Sequence, residues 1–432
     1  MSAVAVFIIF FLCLIIAIPI SIGLGIVSVL PGAFDPSFTA SGTFVIRSML
    51  GGIDSFPLLA VPMFVLSGMI MAKGGISKKI FDVFAFFIGK FTAGMPCAVI
   101  VTCLFYGAIS GSGPATVAAV GSMTIPILIK LGYDKTFATA IVAVAGGLGV
   151  IIPPSIPFIM FGMASGESVS DLYIGGIVPG ILIGILLMVY AVFYCERHGE
   201  DKEKIHEEVD QLHKKGFFGV FKDSFFALLS PVIILGCIYT GIASPTEAAV
   251  ISVFYSLIVS MFIYRSMKVK DIWPMLVEGV KTYAPILFIL AASTAFSRVL
   301  TLMQVPQTIS QWILGSFHNE IVILIVINIF LLLVGMVMDT TPAILILTPI
   351  LLPIATAIGM NPIHFGIMMV VNLAIGFVTP PIGVNLFVAS SLTEIPIMQI
   401  AKKAMPLILC FLAALLLITF IPQISLVLLG GA

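Results

Sequence analysis

Gly149-Val150-Ile151-Ile152-Pro153-Pro154 and Gly376-Phe377-Val378-Thr379-Pro380-Pro381 repeat one pattern at an offset of 227 residues. Each places a glycine and a double proline in the middle of a long apolar run. Proline lacks an amide hydrogen and blocks the helical bond to the preceding turn. It also pushes the residue before it toward extended geometry. A helix through either stretch must therefore break and leave carbonyls without helical partners. The same offset aligns Pro126 with Pro353, Gly132 with Gly359, Asp134 with Asn361 and Pro179 with Pro406. Upstream it slips by one, pairing Pro57 with Pro285 and Pro114 with Pro342. The chain is read as two copies, residues 55–195 and 283–432, with linking helices at 225–282 and an N-terminal segment at 1–54.

Composition says where such breaks lie. Of 432 residues only 9% are charged and 60% are apolar, and the mean hydropathy is +1.24. Soluble domains carry about 25% charge. A soluble fold with this composition would expose large apolar patches and associate through them. The chain is therefore read as an all-α, polytopic membrane protein in a lipid bilayer. A formal net charge of zero argues against nucleic acid as a partner. The six cysteines have neither paired nor metal-ligand spacing, and they read as small hydrophobes.

A spanning helix needs about 20 apolar residues. Single spans are expected at 4–30, 57–72, 173–194, 225–242, 248–264, 284–296 and 405–429. Regions 91–130 and 319–360 are about two spans long and are broken in the middle, so they are read as re-entrant helical hairpins. Regions 137–165 and 363–392 are read as proline-broken helices. The segment 196–224 holds 14 charged residues between Glu196 and Asp223 and is expected to be a solvated cytoplasmic loop. Basic residues mark the cytoplasmic side of membrane proteins. With that loop inside, 18 of the 20 Lys and Arg residues fall on one side, Arg47 and Arg298 excepted. This frame puts the N-terminus in the cytoplasm and the C-terminus outside. Counting crossings then starts the second copy from the opposite face. The base of the first hairpin carries Lys90, Lys130 and Lys135, whereas His318, Asn319, Glu320 and Asn361 at the second include no Lys or Arg. Inverted-topology repeats with interrupted helices are a transporter architecture.

Polar residues interrupt the spans at four related places. These are Gly107 to Thr116, Gly146 to Ser155, Met338 to Pro342, and Gly376 to Pro381 with Asn385. Unpaired backbone at membrane depth is tolerated only against protein or a polar cavity. Free carbonyls suit a hard cation, and the half-helix N-termini suit an anion. Proline kinks with close glycine packing would account for one such segment. Four at symmetric positions favour two cation sites with an anion site between them. Asp339 is the only charge between Glu320 and Glu394, and an intramembrane acid marks function by default; the alternative is a helix cap. Arg298 is read either as a ligand for an acidic substrate or as a snorkelling residue. Glu247 in Ser244-Pro245-Thr246-Glu247 reads as a cap. The arms 76–91 and 305–317 are amphipathic and suit a membrane interface.

Together, Gly111-Ser-Gly-Pro-Ala-Thr116, Ile152-Pro-Pro-Ser155, Ser244-Pro-Thr-Glu247, Met338-Asp-Thr-Thr-Pro342 and Thr379-Pro-Pro-Ile-Gly-Val-Asn385 resemble the large membrane subunit of tripartite ATP-independent periplasmic (TRAP) transporters. The resemblance covers nearly the whole chain. It implies an elevator-type secondary transporter of the bacterial inner membrane that couples two or more Na+ to uptake of an organic acid. Sialic acids and C4-dicarboxylates are the substrate types it suggests. It implies a small four-helix membrane subunit and a soluble periplasmic binding protein as partners. The small subunit is expected as a separate chain, because one helix is expected before the first copy.

Carried over by motif, the first sodium site is Ser110, Gly149, Ile151 and Pro154, and the second is Asp339, Thr340, Gly376 and Thr379. Ser112, Thr116, Ser155, Thr341 and Asn385, with Arg298, are expected at the substrate. The competing transport readings are a stand-alone sodium–dicarboxylate symporter and the large subunit of a tripartite tricarboxylate transporter. A channel fits dead-ended breaks poorly. An intramembrane enzyme lacks a His-Glu metal pair, a Ser/His dyad or paired aspartates within the spans.

Overall fold

The computed structural model describes residues 2–35, 37–317 and 319–430. Every regular element among these residues is helical. Among the described residues nine helices are long and apolar enough to cross a membrane, including Phe56–Lys73, Val169–His198, Gly216–Tyr239, Pro245–Ile263, Val269–Leu302 and Ile397–Phe420. The chain is thus an all-α, multi-span membrane protein.

Both halves use one order of elements. The first runs through the helix Ala60–Lys73, the arm Ile76–Ile88, a hairpin of Gly94–Ser110 and Gly113–Lys130, then Lys135–Ala145, a break, Ile156–Ser165 and the long helix Val169–His198. The second runs through Ile272–Leu302, the arm Val305–Ser316, a hairpin of Glu320–Val337 and Thr340–Ala357, then Pro362–Gly376, a break, Val384–Thr393 and Ile397–Phe420. Gly113 and Thr340, and likewise Lys135 and Pro362, start their helices at the same offset as the double prolines. Asp134 and Asn361 cap the corresponding helices, accepting from the amides of Phe137 and Ile363 at 2.8 Å each. Both Pro153-Pro154 and Pro380-Pro381 are cis.

The helices before the breaks form the core. Every residue from Phe137 to Ala145 is buried, as is every residue from His364 to Gly376. Both are apolar almost all round, the pattern of a helix enclosed by protein rather than lying at a surface. Gly147 packs on Phe411, and Phe161 packs on Phe365 with ring centroids 6.2 Å apart. Around this body sit Ala60–Lys73, Pro245–Ile258 and Ile272–Leu302. Ser67 bonds to Ser252 and Ser256, at 2.5 and 2.9 Å, where two of them cross. Small polar residues let membrane helices approach and bond at this kind of crossing.

Three readings of the sequence need correction. The first span is two helices, Ala3–Ile15 and Ile20–Phe34, and a third, Gly42–Ile53, follows before the first half. Ala17 takes a left-handed conformation (φ 61°), and the amide of Ile18 returns to the carbonyl of Cys13 at 2.9 Å. Gly23 then lies against Phe10 and Cys13. Hydropathy runs straight through this turn and does not reveal it. Met1, Gly431 and Ala432, at the two ends, lie outside the described residues.

The segment 196–224 is helical rather than a loop, although most of its residues are exposed. It contains the helix Lys202–Lys214, and Gly216–Tyr239 begins within it. Ile205, Val209 and Leu212 recur at helical spacing, and Ile205 and Val209 are buried. Glu200 accepts from the amide of Ala93 at 3.0 Å and from the hydroxyl of Tyr133 at 2.5 Å. Lys90 pairs with Asp210 at 2.7 Å, and Lys130 pairs with Glu208 at 2.8 Å. The segment therefore braces the arm and both ends of the first hairpin. The span expected at 284–296 is also longer, continuing through Pro285 as Ile272–Leu302.

Candidate functional site

The two hairpin tips and the two breaks meet inside the core. Each hairpin's second limb packs on the half-helix that follows the other half's break. Gly113–Lys130 lies on Val384–Thr393, and Thr340–Ala357 lies on Ile156–Ser165. Glycine makes the first junction possible. A Cβ on Gly107 would sit 2.7 Å from the Cα of Gly149, and a Cβ on Gly149 would sit 2.4 Å from Thr116 Oγ1 and 2.8 Å from the carbonyl of Ser112. Neither position has room for a side chain.

Oxygen atoms fill the space thus cleared. Thr116 donates its hydroxyl proton to the Ser112 carbonyl at 2.8 Å. The Ser110 hydroxyl lies 2.9 Å from Thr116 Oγ1, so Ser110 is the donor of that pair. Each hydroxyl oxygen keeps lone-pair capacity. Gly111, left-handed at φ 60°, gives its carbonyl to the amide of Ile156 at 3.3 Å. A Cβ on Gly111 would meet the carbonyl of Pro154 at 2.9 Å. Ser155 caps the half-helix and donates to the Val150 carbonyl at 2.5 Å. Ser110, Thr116 and Ser155 are buried, as are Gly149, Ile151 and Pro154. Ser112 is half-buried, and its side chain makes no capping bond. The structure brings this set together as one oxygen-rich junction.

The second junction has the same plan with different side chains. A Cβ on Gly376 would sit 2.1 Å from the carbonyl of Gly335, in the last turn before the hairpin tip. The amide of Ile382 reaches the Met336 carbonyl at 3.3 Å. Asp339 caps Thr340–Ala357, accepting from the amide of Thr340 at 2.6 Å and from its hydroxyl at 3.2 Å. Asp339 as a residue is exposed on the chain's own surface, while Thr340 and Thr341 are buried. Thr379 turns its hydroxyl back to the Ile375 carbonyl at 2.7 Å.

Asn385 joins the halves. Fully buried, it donates to the Ala143 carbonyl at 3.1 Å. Its Oδ1 has no partner among the described residues and lies 3.2 Å from where a Cβ on Gly113 would be. An orphaned acceptor in a buried site calls for a donor or a cation. Arg298 stands apart from this cluster. It lines a cavity of about 530 Å³ with Gly51, Gly52, Ser55, Glu167 and Thr294, closed on one side by Leu345 and Pro349 of the second hairpin.

Two contributors escape the sequence reading, Gly335 and Tyr106. Gly335 admits the second break as Gly107, which heads the first polar segment, admits the first, and a small residue just before the tip is its signal. Tyr106 ties the first hairpin to the helix Ala60–Lys73 through the Gly68 carbonyl at 2.9 Å. Nothing local marks that bond.

The family described as tripartite ATP-independent periplasmic transporter, DctM component, matches residues 7–424. The isethionate TRAP transporter permease protein DctMQ of Oleidesulfovibrio alaskensis is 44% identical over 96% of this chain, which spans 64% of that relative's length. The C4-dicarboxylate TRAP transporter large permease protein DctM of Pseudomonas aeruginosa is 40% identical over 87% of this chain and 86% of its own. The sialic acid TRAP transporter large permease protein SiaM of Vibrio cholerae is 34% identical over 89% of each. In solved structures the fold is similar to the YdaH transporter of Alcanivorax borkumensis, with a TM-score of 0.62, 15% identity and 88% of each chain covered. It is equally similar to MtrF of Neisseria gonorrhoeae, with a TM-score of 0.62, 14% identity and 93% coverage of each. These relatives are transporter permeases rather than enzymes, and the chain belongs to the DctM component of the tripartite ATP-independent periplasmic transporter family.

Proposed function

We propose that this chain is the sodium-coupled, elevator-type permease of a tripartite uptake system for an organic acid. The observation that carries the proposal is the first junction. There Ser110 Oγ, Thr116 Oγ1 and the Ser112 carbonyl lie within hydrogen-bond reach of one another around Gly149. An all-oxygen set of neutral groups suits a hard cation. Ser110, Gly149, Ile151 and Pro154 would hold one Na+. Asp339, Thr340, Gly376 and Thr379 would hold the other, and Asp339 would supply its countercharge. Sodium is cargo here, moved with the substrate down its gradient.

The organic acid sits between the tips in this reading. Ser112, Thr116, Ser155 and Thr341 present hydroxyls near three helix N-termini, where partial positive charge favours a carboxylate. Asn385 reaches across from the second break. Arg298 meets the acid in the outer cavity before or after the tips do. The two halves act as inverted repeats, and the body formed by the hairpins and breaks moves against the surrounding helices. Moving one net charge through about 100 mV yields about 2.3 kcal/mol, so a stoichiometry with excess Na+ adds the membrane potential to the driving force. Sialic acids, C4-dicarboxylates and sulfonates such as isethionate are the substrate types named for the relatives. A soluble periplasmic binding protein delivers the acid, and a small four-helix membrane subunit widens the fixed part. We place the segment 196–224 in the cytoplasm and the C-terminus in the periplasm of the bacterial inner membrane.

The test is uptake in proteoliposomes. Replacing Na+ by K+ should abolish accumulation of the cognate acid. Undiminished uptake in K+ would overturn the sodium coupling.

A further inference from the structure

A buried polar line runs through the second half and has no counterpart in the first. His364 is 1% exposed, and its Nε2 lies 3.4 Å from the Thr419 carbonyl. Thr419 Oγ1 lies 3.5 Å from Asn328 Oδ1. Asn328 Oδ1 also accepts from Asn372 Nδ2 at 2.8 Å. Asn372 is fully buried and stands one helical turn before Gly376. At the same offset the first half has Phe137, Val192, Val101 and Ala145. There Phe137 stacks on Tyr194 at 3.8 Å. The fold therefore packs these positions with apolar groups when it has no other use for them.

Two atoms of the line are orphaned. His364 Nδ1 and Asn372 Oδ1 have no partner among the described residues. Nε2 faces a carbonyl and must carry the imidazole proton, which leaves Nδ1 an acceptor. Asn372 Oδ1 is an acceptor as well. Two buried acceptors each need a donor, and the smallest donor is water. The line also has a mouth. His364 and Thr419 border a cavity of about 870 Å³ at the base of the second hairpin, with Glu320, Asn361 and Phe420 on its wall.

We infer that bound water occupies this line, from the cavity past His364 and Thr419 to Asn328 and Asn372, one turn from the second break. Water there would give a cation at the second junction molecules with which to rebuild its hydration shell. The first junction has no such supply. That consequence rests on the reading of Gly376 as part of a sodium site, but the hydration does not.

X-ray radiolytic labelling tests the hydration, because hydroxyl radicals formed from bound water oxidise side chains beside it. Met368 Sδ lies 3.6 Å from Asn328 Nδ2 and, like Met160, is fully buried. In the reconstituted wild-type protein Met368 should oxidise measurably faster than Met160. In His364→Phe and Asn372→Ala, which install the first half's residues, the rate should fall toward that of Met160. Equal protection of the two methionines in the wild type would overturn the inference. So would a fast rate that both variants leave unchanged. The labelling reports water whether or not Na+ binds nearby, so failure of the sodium reading would be seen separately, in uptake.

Discussion

Gly149→Ala is the most informative single change. The added methyl would lie 2.4 Å from Thr116 Oγ1 and 2.8 Å from the Ser112 carbonyl. Real Cβ contacts do not come that close, so the hairpin tip must retreat. Overpacking by a methylene costs about 1–3 kcal/mol. If the sodium-bound state bears this cost, apparent Na+ affinity falls by about 5- to 150-fold, at 1.4 kcal/mol per tenfold. The control is two residues away. A Cβ on Gly147 would meet Phe411 at 3.7 Å, an ordinary contact, so Gly147→Ala should behave as wild type. The assay is initial uptake rate in proteoliposomes against external Na+, with thermal unfolding to show that both variants fold. A folded Gly149→Ala protein with the wild-type half-saturating Na+ would refute the assignment of this junction. Equal losses in both variants would assign the effect to general packing of the broken helix.

Other outcomes follow from the same geometry. Gly376→Ala sets its methyl 2.1 Å from a backbone oxygen, that of Gly335. No side-chain rotation relieves this, so its thermal stability should fall below that of Gly149→Ala. Arg298→Gln should raise the half-saturating substrate concentration and leave the Na+ dependence unchanged; a shift in Na+ dependence would instead link Arg298 to the junctions. A cysteine pair at Gly68 and Ser110, where a Gly68 Cβ falls 3.3 Å from Ser110 Cβ, should cross-link and arrest transport, and reduction should restore it to the level of Ser110→Cys alone. Transport at that level by the cross-linked protein would exclude movement of the first hairpin against the helix Ala60–Lys73. Asp210 has its carboxyl held below the ordinary value by its hydrogen bond to Lys90. A lowered folded pKa gives stability that is complete above the unfolded value and lost as pH falls through the folded one. The bracing segment should therefore resist proteolysis equally from pH 8 to pH 5, and this pair should release it only below the unfolded carboxylate pKa of about 3.9. Increased cleavage near pH 6 would mean that another group controls its docking.

The double prolines made the site legible in the sequence. Proline acts on its own backbone, so the breaks at Pro153 and Pro380 need no tertiary information. The constant offset then located both hairpins and the caps Asp134 and Asn361. What stayed hidden depends on distant partners or on one dihedral angle. The turn at Ala17 leaves no mark on hydropathy. Glu200 looks like any acid in a charged run until Ala93 and Tyr133 are beside it. Arg298 reads as a substrate ligand by charge alone, yet the fold seats it in a separate cavity with Ser55 and Thr294. Asn328 and Asn372 were visible as polar residues in apolar runs, but only the packing shows that they bond to each other.

The central claim is that Na+ drives an organic acid through these junctions after delivery by a binding protein. Its most direct test is accumulation of the labelled acid in proteoliposomes holding this chain and its small membrane partner, under an imposed inward Na+ gradient. The account predicts accumulation only when Na+ and the cognate binding protein are both present. Accumulation at full rate with either one omitted would contradict it.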